Sequence, residues 1–401
     1  MTFDINHIRQ QFPLLATSAH GQILNYLDSA STTPMPAPVI ASQVEFESCS
    51  RANVARAGHY LAGIATEAYE DARARVAAYI NAADAQEVIF TSGTTASINL
   101  LAQSLGQTFQ VGDEVVLSVA EHHSNLVPWQ LLRQRLGIVL KFLPLGEDGR
   151  LDLSEMESLV TPRCRLIAVS HASNVTGAIS DVGSIVACAK RVGAQVLLDG
   201  AQRVAHGPLD LQALGVDYYV FSGHKCFGPT GVGVLWGRQT LLDKLPPVMG
   251  GGSMVERVTL EASRYASGSS KFEAGTPPIA QAIGLGVALD WLQALPRQQV
   301  NAHEARLTAH LLDTLHAVPG LRLIGPATTA DRLPLVSFDI EGAHPHDICH
   351  LLDQRGIALR GGHHCAQPVL RRFGVDATCR ASFAAYNTPE EIDMFVDALQ
   401  R

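Results

Sequence analysis

Positive charge is scarce in this chain of 401 residues: 30 lysines and arginines stand against 38 aspartates and glutamates, for a formal net charge of −8. A chain without long basic runs offers little to the phosphates of nucleic acid, and no nucleic-acid partner is expected. The same balance argues against docking on an anionic membrane. Long apolar runs are also missing, and the longest are too short and too interrupted to span a bilayer. The opening MTFDINHIRQQFPLL has no basic stretch leading into an apolar segment, so no signal peptide is expected and a cytoplasmic location is. Cysteine is sparse. The seven thiols, at 49, 164, 188, 226, 349, 365 and 379, are odd in number and form no CxxC pair, which fits reduced thiols better than a disulfide framework or a structural zinc site.

What is present is ordinary globular material, 47% hydrophobic and 17% charged. The length suggests two or three domains. Apolar runs of strand length recur at EVIFT (87–91), DEVVLSV (113–119), RLIAVSH (165–171), QVLLD (195–199), YYVFS (218–222) and GVGVLWG (231–237). Continuous runs of this kind suit strands buried on both faces. Helical patterns lie between most of them, among them ASINLLAQSL and GSIVACAKRVG. The alternation predicts an α/β fold with a mostly parallel sheet, whose ligands bind beyond the carboxyl ends of the strands. After about residue 290 the texture changes to a long helix, short strands (LRLIG, LVSFDI, IALRG) and two further helices, a smaller α+β domain with which NHIRQQF is expected to pack. The cleft between the two is the expected active site.

Asp199 ends one apolar strand and Lys225 follows the next. Alone, the aspartate reads as a turn residue and the lysine as a surface cation. A lysine beyond a buried strand is costly unless it is used, and two ionisable groups at successive strand ends make the pair informative. The chemistry that needs both is that of pyridoxal 5'-phosphate: a lysine amine to form a Schiff base with the aldehyde, and a carboxylate to keep the pyridine nitrogen protonated. TSGTTASINLL supplies a strand, a small polar turn and a helix start, so Thr94 and Thr95 are candidate phosphate ligands, joined by Ser222 and His224. His122, in EHHSNLVPW, alone reads as an ordinary loop histidine, but beside these groups it is a candidate to stack on a pyridine ring.

DSAST (28–32), SGTTASINL (92–100), AEHHSNLVPW (120–129), SNVTG (173–177), LDGAQ (198–202), FSGHKCFGPTGVGVLWG (221–237), FEAGTP (272–277) and RGGHHCAQP (360–368) resemble the SufS/CsdA-type cysteine desulfurases, fold-type I enzymes of the class V aminotransferase kind. The resemblance runs from about residue 3 to the C-terminus. It implies a large cofactor-binding domain over 26–292, with a mostly parallel seven-stranded sheet, and a small domain from 1–25 and 293–401 that carries a catalytic cysteine loop. It implies that Lys225 holds the cofactor and moves protons, that Asp199 faces the pyridine nitrogen and Gln202 the ring hydroxyl, and that His122 stacks on the ring. Thr94, Thr95, Ser222 and His224 would hold the phosphate, with Thr276 reaching the phosphate of a partner subunit in a homodimer. Asn174 and Arg380 would bind the substrate carboxylate, with Arg360 also in the substrate site, near Cys365. Cys365 would accept sulfur from L-cysteine as a persulfide, leaving L-alanine, and pass it to a partner protein with its own reactive cysteine. Iron–sulfur cluster assembly is the implied destination. The sequence leaves L-selenocysteine, or another class V substrate, open as the alternative. The chain departs from the family at Ala55, where a histidine is usual before the retained Arg56, and at Ala96, where a glutamate is.

A thiolate is the reactive form of cysteine, and His363, His364 and Arg360 are the nearby groups expected to favour it. Cys226 and Cys379 read as packing residues. His363, His364 and Cys365, or His346 and His350, share a metal-ligand look without a further ligand set, and no metal is expected.

Overall fold

The computed structural model describes residues 3–55 and 58–401. Seven strands form the main sheet: β1 (Val88–Thr91), β2 (Glu114–Ser118), β3 (Val139–Leu143), β4 (Cys164–Ser170), β5 (Gln195–Asp199), β6 (Tyr218–Ser222) and β7 (Gly233–Gly237). Their order is β1-β7-β6-β5-β4-β2-β3. All neighbours are parallel except β7, which runs antiparallel to both β1 and β6.

Period-two alternation sends successive side chains of each central strand to opposite faces, and both faces are covered. Ile167, Val169, Val196, Leu198, Tyr219 and Phe221 belong to one buried cluster, and Leu166, Ala168, Leu197, Tyr218 and Val220 to another. This is why these strands read as unbroken apolar runs. Helix α3 (Thr94–Leu105) covers the second face, and α4 (Val182–Val192) the first. Helix α5 (Ile279–Ala294) packs along α2 (Tyr60–Tyr79). Among the described residues no single helix is long and apolar enough to cross a membrane.

A four-stranded antiparallel sheet follows in the order β8-β9-β11-β10, from β8 (Leu321–Ile324), β9 (Leu335–Ile340), β10 (Arg360–Gly362) and β11 (Thr378–Ser382). Leu307, Leu311 and Leu315 of α6 (Arg297–Leu315) share a core with Val336, Phe338, Ile392 and Phe395. The segment IALRG is not one strand. Ile357–Ala358 pairs in parallel with Asn25–Tyr26, and the chain then turns so that β10 pairs with β11. The opening helix α1 (Ile5–Gln10) faces both ways: Arg9 pairs with Glu391 at 2.8 Å, while Phe12 just beyond it meets Phe227 and Trp291 at ring distances of 5.8 and 5.3 Å.

Candidate active site

A cavity of about 230 Å³ opens beyond the carboxyl ends of β4, β5 and β6. Lys225, Asp199, Gln202, Ser222, His224, Thr94, Thr95, His122, Asn174, Arg360, Arg380 and Cys365 all line it, so every proposed site residue but one comes together. The exception is Thr276, which lines a separate pocket of about 590 Å³ with Ser92, Ala96, Gly231 and Met249. Arg56 lies outside the described residues. Ser31 and Ser124, to which reading the sequence assigned no role, also line the cavity, as does His364. Among the described residues no group of three or more His, Cys, Asp or Glu is placed to hold a metal.

The floor holds two ionisable groups, Lys225 and Asp199. Burial draws the Lys225 ammonium below its ordinary value, with Asp199 opposing that shift. Burial raises the Asp199 carboxyl, while the Ala201 N–H, donating at 3.0 Å, and the charge of Lys225 pull it back. Gln202 is fixed by donating from Nε2 to the Ala30 carbonyl at 2.9 Å.

One corner suits a phosphate. The turn after β1 passes through Gly93 at φ 144°, a conformation that side chains rarely adopt, and a Cβ there would stand 3.3 Å from Ser222 Oγ. The turn can therefore lie close against β6 only as glycine. The Thr94 N–H donates to Ser222 Oγ at 2.8 Å, and the two hydroxyls are also 2.8 Å apart. Thr94 and Thr95 open the 12-residue α3, whose N-terminal dipole favours an anion. His224 is pulled down to about 4 by burial and then by Lys225, and stays neutral. Hydroxyls, backbone N–H groups and a helix start, with Lys225 and Asp199 across the floor, fit pyridoxal phosphate.

His122 stands above this floor. Burial, then Lys225, lower its pKa to about 3. The Ser124 N–H donates to Nδ1 at 3.1 Å, which assigns the ring proton to Nε2. Ser124 Oγ lies 3.0 Å from the same nitrogen and 2.6 Å from Thr95 Oγ1, joining the ring to the phosphate corner. Beneath the loop, buried Glu121 accepts from Asn125 Nδ2 at 2.6 Å, from the Ser170 N–H at 3.0 Å and hydroxyl at 2.8 Å, and from Ser118. Burial pushes Glu121 up to about 7 against the pull of these donors.

The two arginines share one hydroxyl. Arg380 donates from Nη2 to Ser31 Oγ at 2.8 Å and to Asp28 Oδ1 at 3.2 Å, and from Nη1 to the Asn174 carbonyl at 2.9 Å. Arg360 donates to the same Ser31 Oγ at 2.8 Å. Arg380 is only 2% exposed, yet its Nε–H has no partner. An orphan guanidinium donor beside a second arginine suits a carboxylate.

The Cys365 loop enters from β10. His364 and Cys365 both take left-handed backbone, at φ 51° and 54°. Such positions cost on the order of 1–3 kcal/mol each and persist only where surroundings hold them. Here His123 N–H donates to the Cys365 carbonyl at 2.7 Å, and Asn174 Nδ2 to the His364 carbonyl at 2.8 Å. Asn174 is therefore tied to the thiol loop as well as lining the cavity. The Cys365 thiol is partly exposed. The expected positive charge of His364 is absent: the ring is buried, its Nε2 lies 3.1 Å from the Thr378 carbonyl, and burial pulls its pKa down to about 2. His363 is the exposed member of the pair, and its Nδ1 accepts from the Cys365 N–H at 3.0 Å.

The aminotransferase class-V family model matches residues 25–395. The chain is 47% identical over 99% of its length to a probable cysteine desulfurase of Streptomyces coelicolor, covering 96% of that protein. It is 45% identical over its whole length to a cysteine desulfurase of Pectobacterium carotovorum, covering 98% of it. The crystal structure of the cysteine desulfurase CsdA from Escherichia coli, in an S-sulfonic acid form, superposes with a TM-score of 0.92 at 41% identity, over 99% of this chain and 98% of that one. With the strand-end lysine and aspartate and the thiol loop in one cavity, the chain belongs to the cysteine desulfurases of the aminotransferase class-V family.

Proposed function

We propose that the chain uses pyridoxal phosphate to convert L-cysteine to L-alanine and carries the released sulfur as a persulfide on Cys365. The observation that carries this reading is the entry of the Cys365 loop into the cavity that holds Lys225 and Asp199. Lys225 would hold the aldehyde, Asp199 the ring nitrogen, and Thr94, Thr95, Ser222 and His224 the phosphate. The bound cofactor supplies an electron sink for charge developing at the substrate Cα.

The remaining work falls to side chains. Arg380 and Arg360 grip the substrate carboxylate. Lys225, whose burial favours the neutral amine, takes the Cα proton. Neutral His122 presents an Nε2–H as a hydrogen-bond donor above the floor. The Cys365 thiolate attacks the substrate sulfur: an S–S bond forms, the C–S bond breaks, and its electron pair stays with the carbon fragment that becomes alanine. Left-handed backbone at residues 364 and 365 keeps the thiol on a short turn, partly exposed, from which sulfur can be handed on.

The same reading extends to partners and setting. Sulfur would pass to a protein with a reactive cysteine, with iron–sulfur cluster assembly as the destination. A cytoplasmic setting suits a chain whose cysteines are all free. Residues 26–292 would form the large domain and 1–25 with 293–401 the small one. Thr276, outside its own cavity, would serve a partner subunit's phosphate in a homodimer.

The test is release of sulfide and alanine from L-cysteine with a reductant, comparing wild type with Cys365→Ala. One-for-one products that vanish in the variant support the assignment. Wild-type rates in the variant refute the role of Cys365, and a cofactor-loaded wild type that makes neither product refutes the substrate.

A further inference from the structure

Two further thiols meet behind the substrate arginines. Cys349 lies on α7 (Pro345–Asp353) and Cys379 on β11, and their sulfurs are 3.8 Å apart. Cys379 is fully buried and Cys349 partly exposed. The hydrogen bond between the two thiols, against the burial that raises it, holds the Cys349 thiol below its usual range. Cys349 is therefore both the accessible and the more readily ionised member.

The surroundings leave no slack. Gly361 of β10 pairs with Cys379, and a Cβ at Gly361 would stand 2.9 Å from the Pro345 carbonyl oxygen and 3.0 Å from Cys349 Sγ. Arg360 precedes Gly361, Arg380 follows Cys379, and β10 leads into the Cys365 loop. A disulfide needs its sulfurs about 2.05 Å apart, so closing the bond draws α7 and β11 together across Gly361.

We propose that Cys349 and Cys379 form a reversible disulfide under peroxide-class oxidants, and that its closure weakens substrate binding by displacing Arg360 and Arg380. Cys349 attacks the peroxide, forming an S–O bond as the O–O bond breaks and one water leaves. Cys379 then attacks that sulfur, the S–S bond forms, the S–O bond breaks, and its oxygen departs as a second water with the Cys379 proton. Each sulfur gives up one electron and the peroxide accepts two. The binding consequence rests on the cysteine desulfurase reading, whereas the disulfide does not.

The experiment uses cofactor-loaded Cys365→Ala, which has no thiol at position 365 to compete for oxidant. After hydrogen peroxide, free thiols are alkylated and a non-reduced digest is mapped by mass. The expected result is a Cys349–Cys379 linked peptide that dithiothreitol removes and Cys349→Ser abolishes. In parallel, binding of L-alanine, which presents the same carboxylate and amine without a thiol to reduce the bond, is read from the cofactor spectrum. Its Kd is expected to rise at least about tenfold on oxidation, as loss of ångström-scale placement implies, and to recover on reduction. The added Cys349→Ser substitution, at a partly exposed site, should hold the Kd constant through the same treatment. No linked peptide, or a linked peptide with an unmoved Kd, overturns the proposal. A reduced protein that binds no L-alanine refutes the desulfurase reading instead, and the mass map still decides whether the disulfide forms.

Discussion

Arg380 offers the sharpest test of how substrate is held. The side chain is sequestered, makes three hydrogen bonds through Nη1 and Nη2, and leaves its Nε–H unsatisfied. An unpaired buried donor costs about 1–3 kcal/mol, and a hydrogen bond to a charged group is worth about 1.5–3 kcal/mol. A substrate carboxylate reaching this fork would collect that difference. Arg380→Lys keeps the charge and loses the planar fork. Loss of one charge-assisted bond then predicts a fall in kcat/KM of about 10- to 150-fold, since each tenfold is about 1.4 kcal/mol. The loss should sit in KM, because on the proposed reading the carboxylate would be gripped before and during reaction alike. Alanine release at varied L-cysteine measures it. A denaturant titration of the same variant separates this from damage to the Asn174 and Asp28 contacts. A well-folded Arg380→Lys whose KM stays within about threefold of wild type would refute the reasoning, because the orphan donor would then have no ligand to explain it.

Lys225→Ala should lose the visible absorbance of lysine-bound cofactor together with all turnover, and a variant that keeps both would sink the cofactor assignment. Glu121→Ala should strip four donors of their acceptor; the two hydroxyls can rotate, but the buried Ser170 N–H and Asn125 Nδ2 cannot, and at about 1–3 kcal/mol for each of these two a denaturant titration should show a loss of about 2–6 kcal/mol. His171 is buried with Nδ1 3.0 Å from Tyr219 Oη, and burial lowers its pKa to about 3, against about 6.5 in an unfolded chain. The unfolded chain takes up that proton first, so the contribution of neutral His171 is complete above about pH 6.5 and is lost as pH falls toward 3. Stability curves of wild type and His171→Gln between pH 6 and 4 should diverge by about 1.4 kcal/mol per pH unit, the wild type being the steeper.

The central strands were legible because burial on both faces forces continuous apolar runs. The edge strand β3 was not: its burial is uneven and it carries Lys141, which pairs with Glu114 on β2 at 2.8 Å, so no such run marks it. IALRG looked like one strand because nothing local states that its halves have different partners. Asp199 and Lys225 were readable from position alone, since a strand end dictates where the next side chain lands. The second set of contacts follows different physics. Ser31 serves two arginines more than 300 positions away, and Ser124 sets the tautomer of His122 through a backbone N–H that any residue could supply.

The pair His363-His364 shows how far such reading reaches. By composition both rings sit beside a thiol and both offer positive charge. The left-handed turn sends one outward and buries the other against Thr378, where solvation can no longer support a cation. Turn conformation here is stabilised from outside the motif, by His123 and Asn174. The chemistry available to Cys365 is therefore decided by residues that precede it by some 200 positions. Weakening Asn174 should loosen the thiol loop as well as substrate binding. Sulfide release in Asn174→Ala should accordingly fall further than KM for L-cysteine rises, and the opposite split would return Asn174 to a purely substrate-binding role.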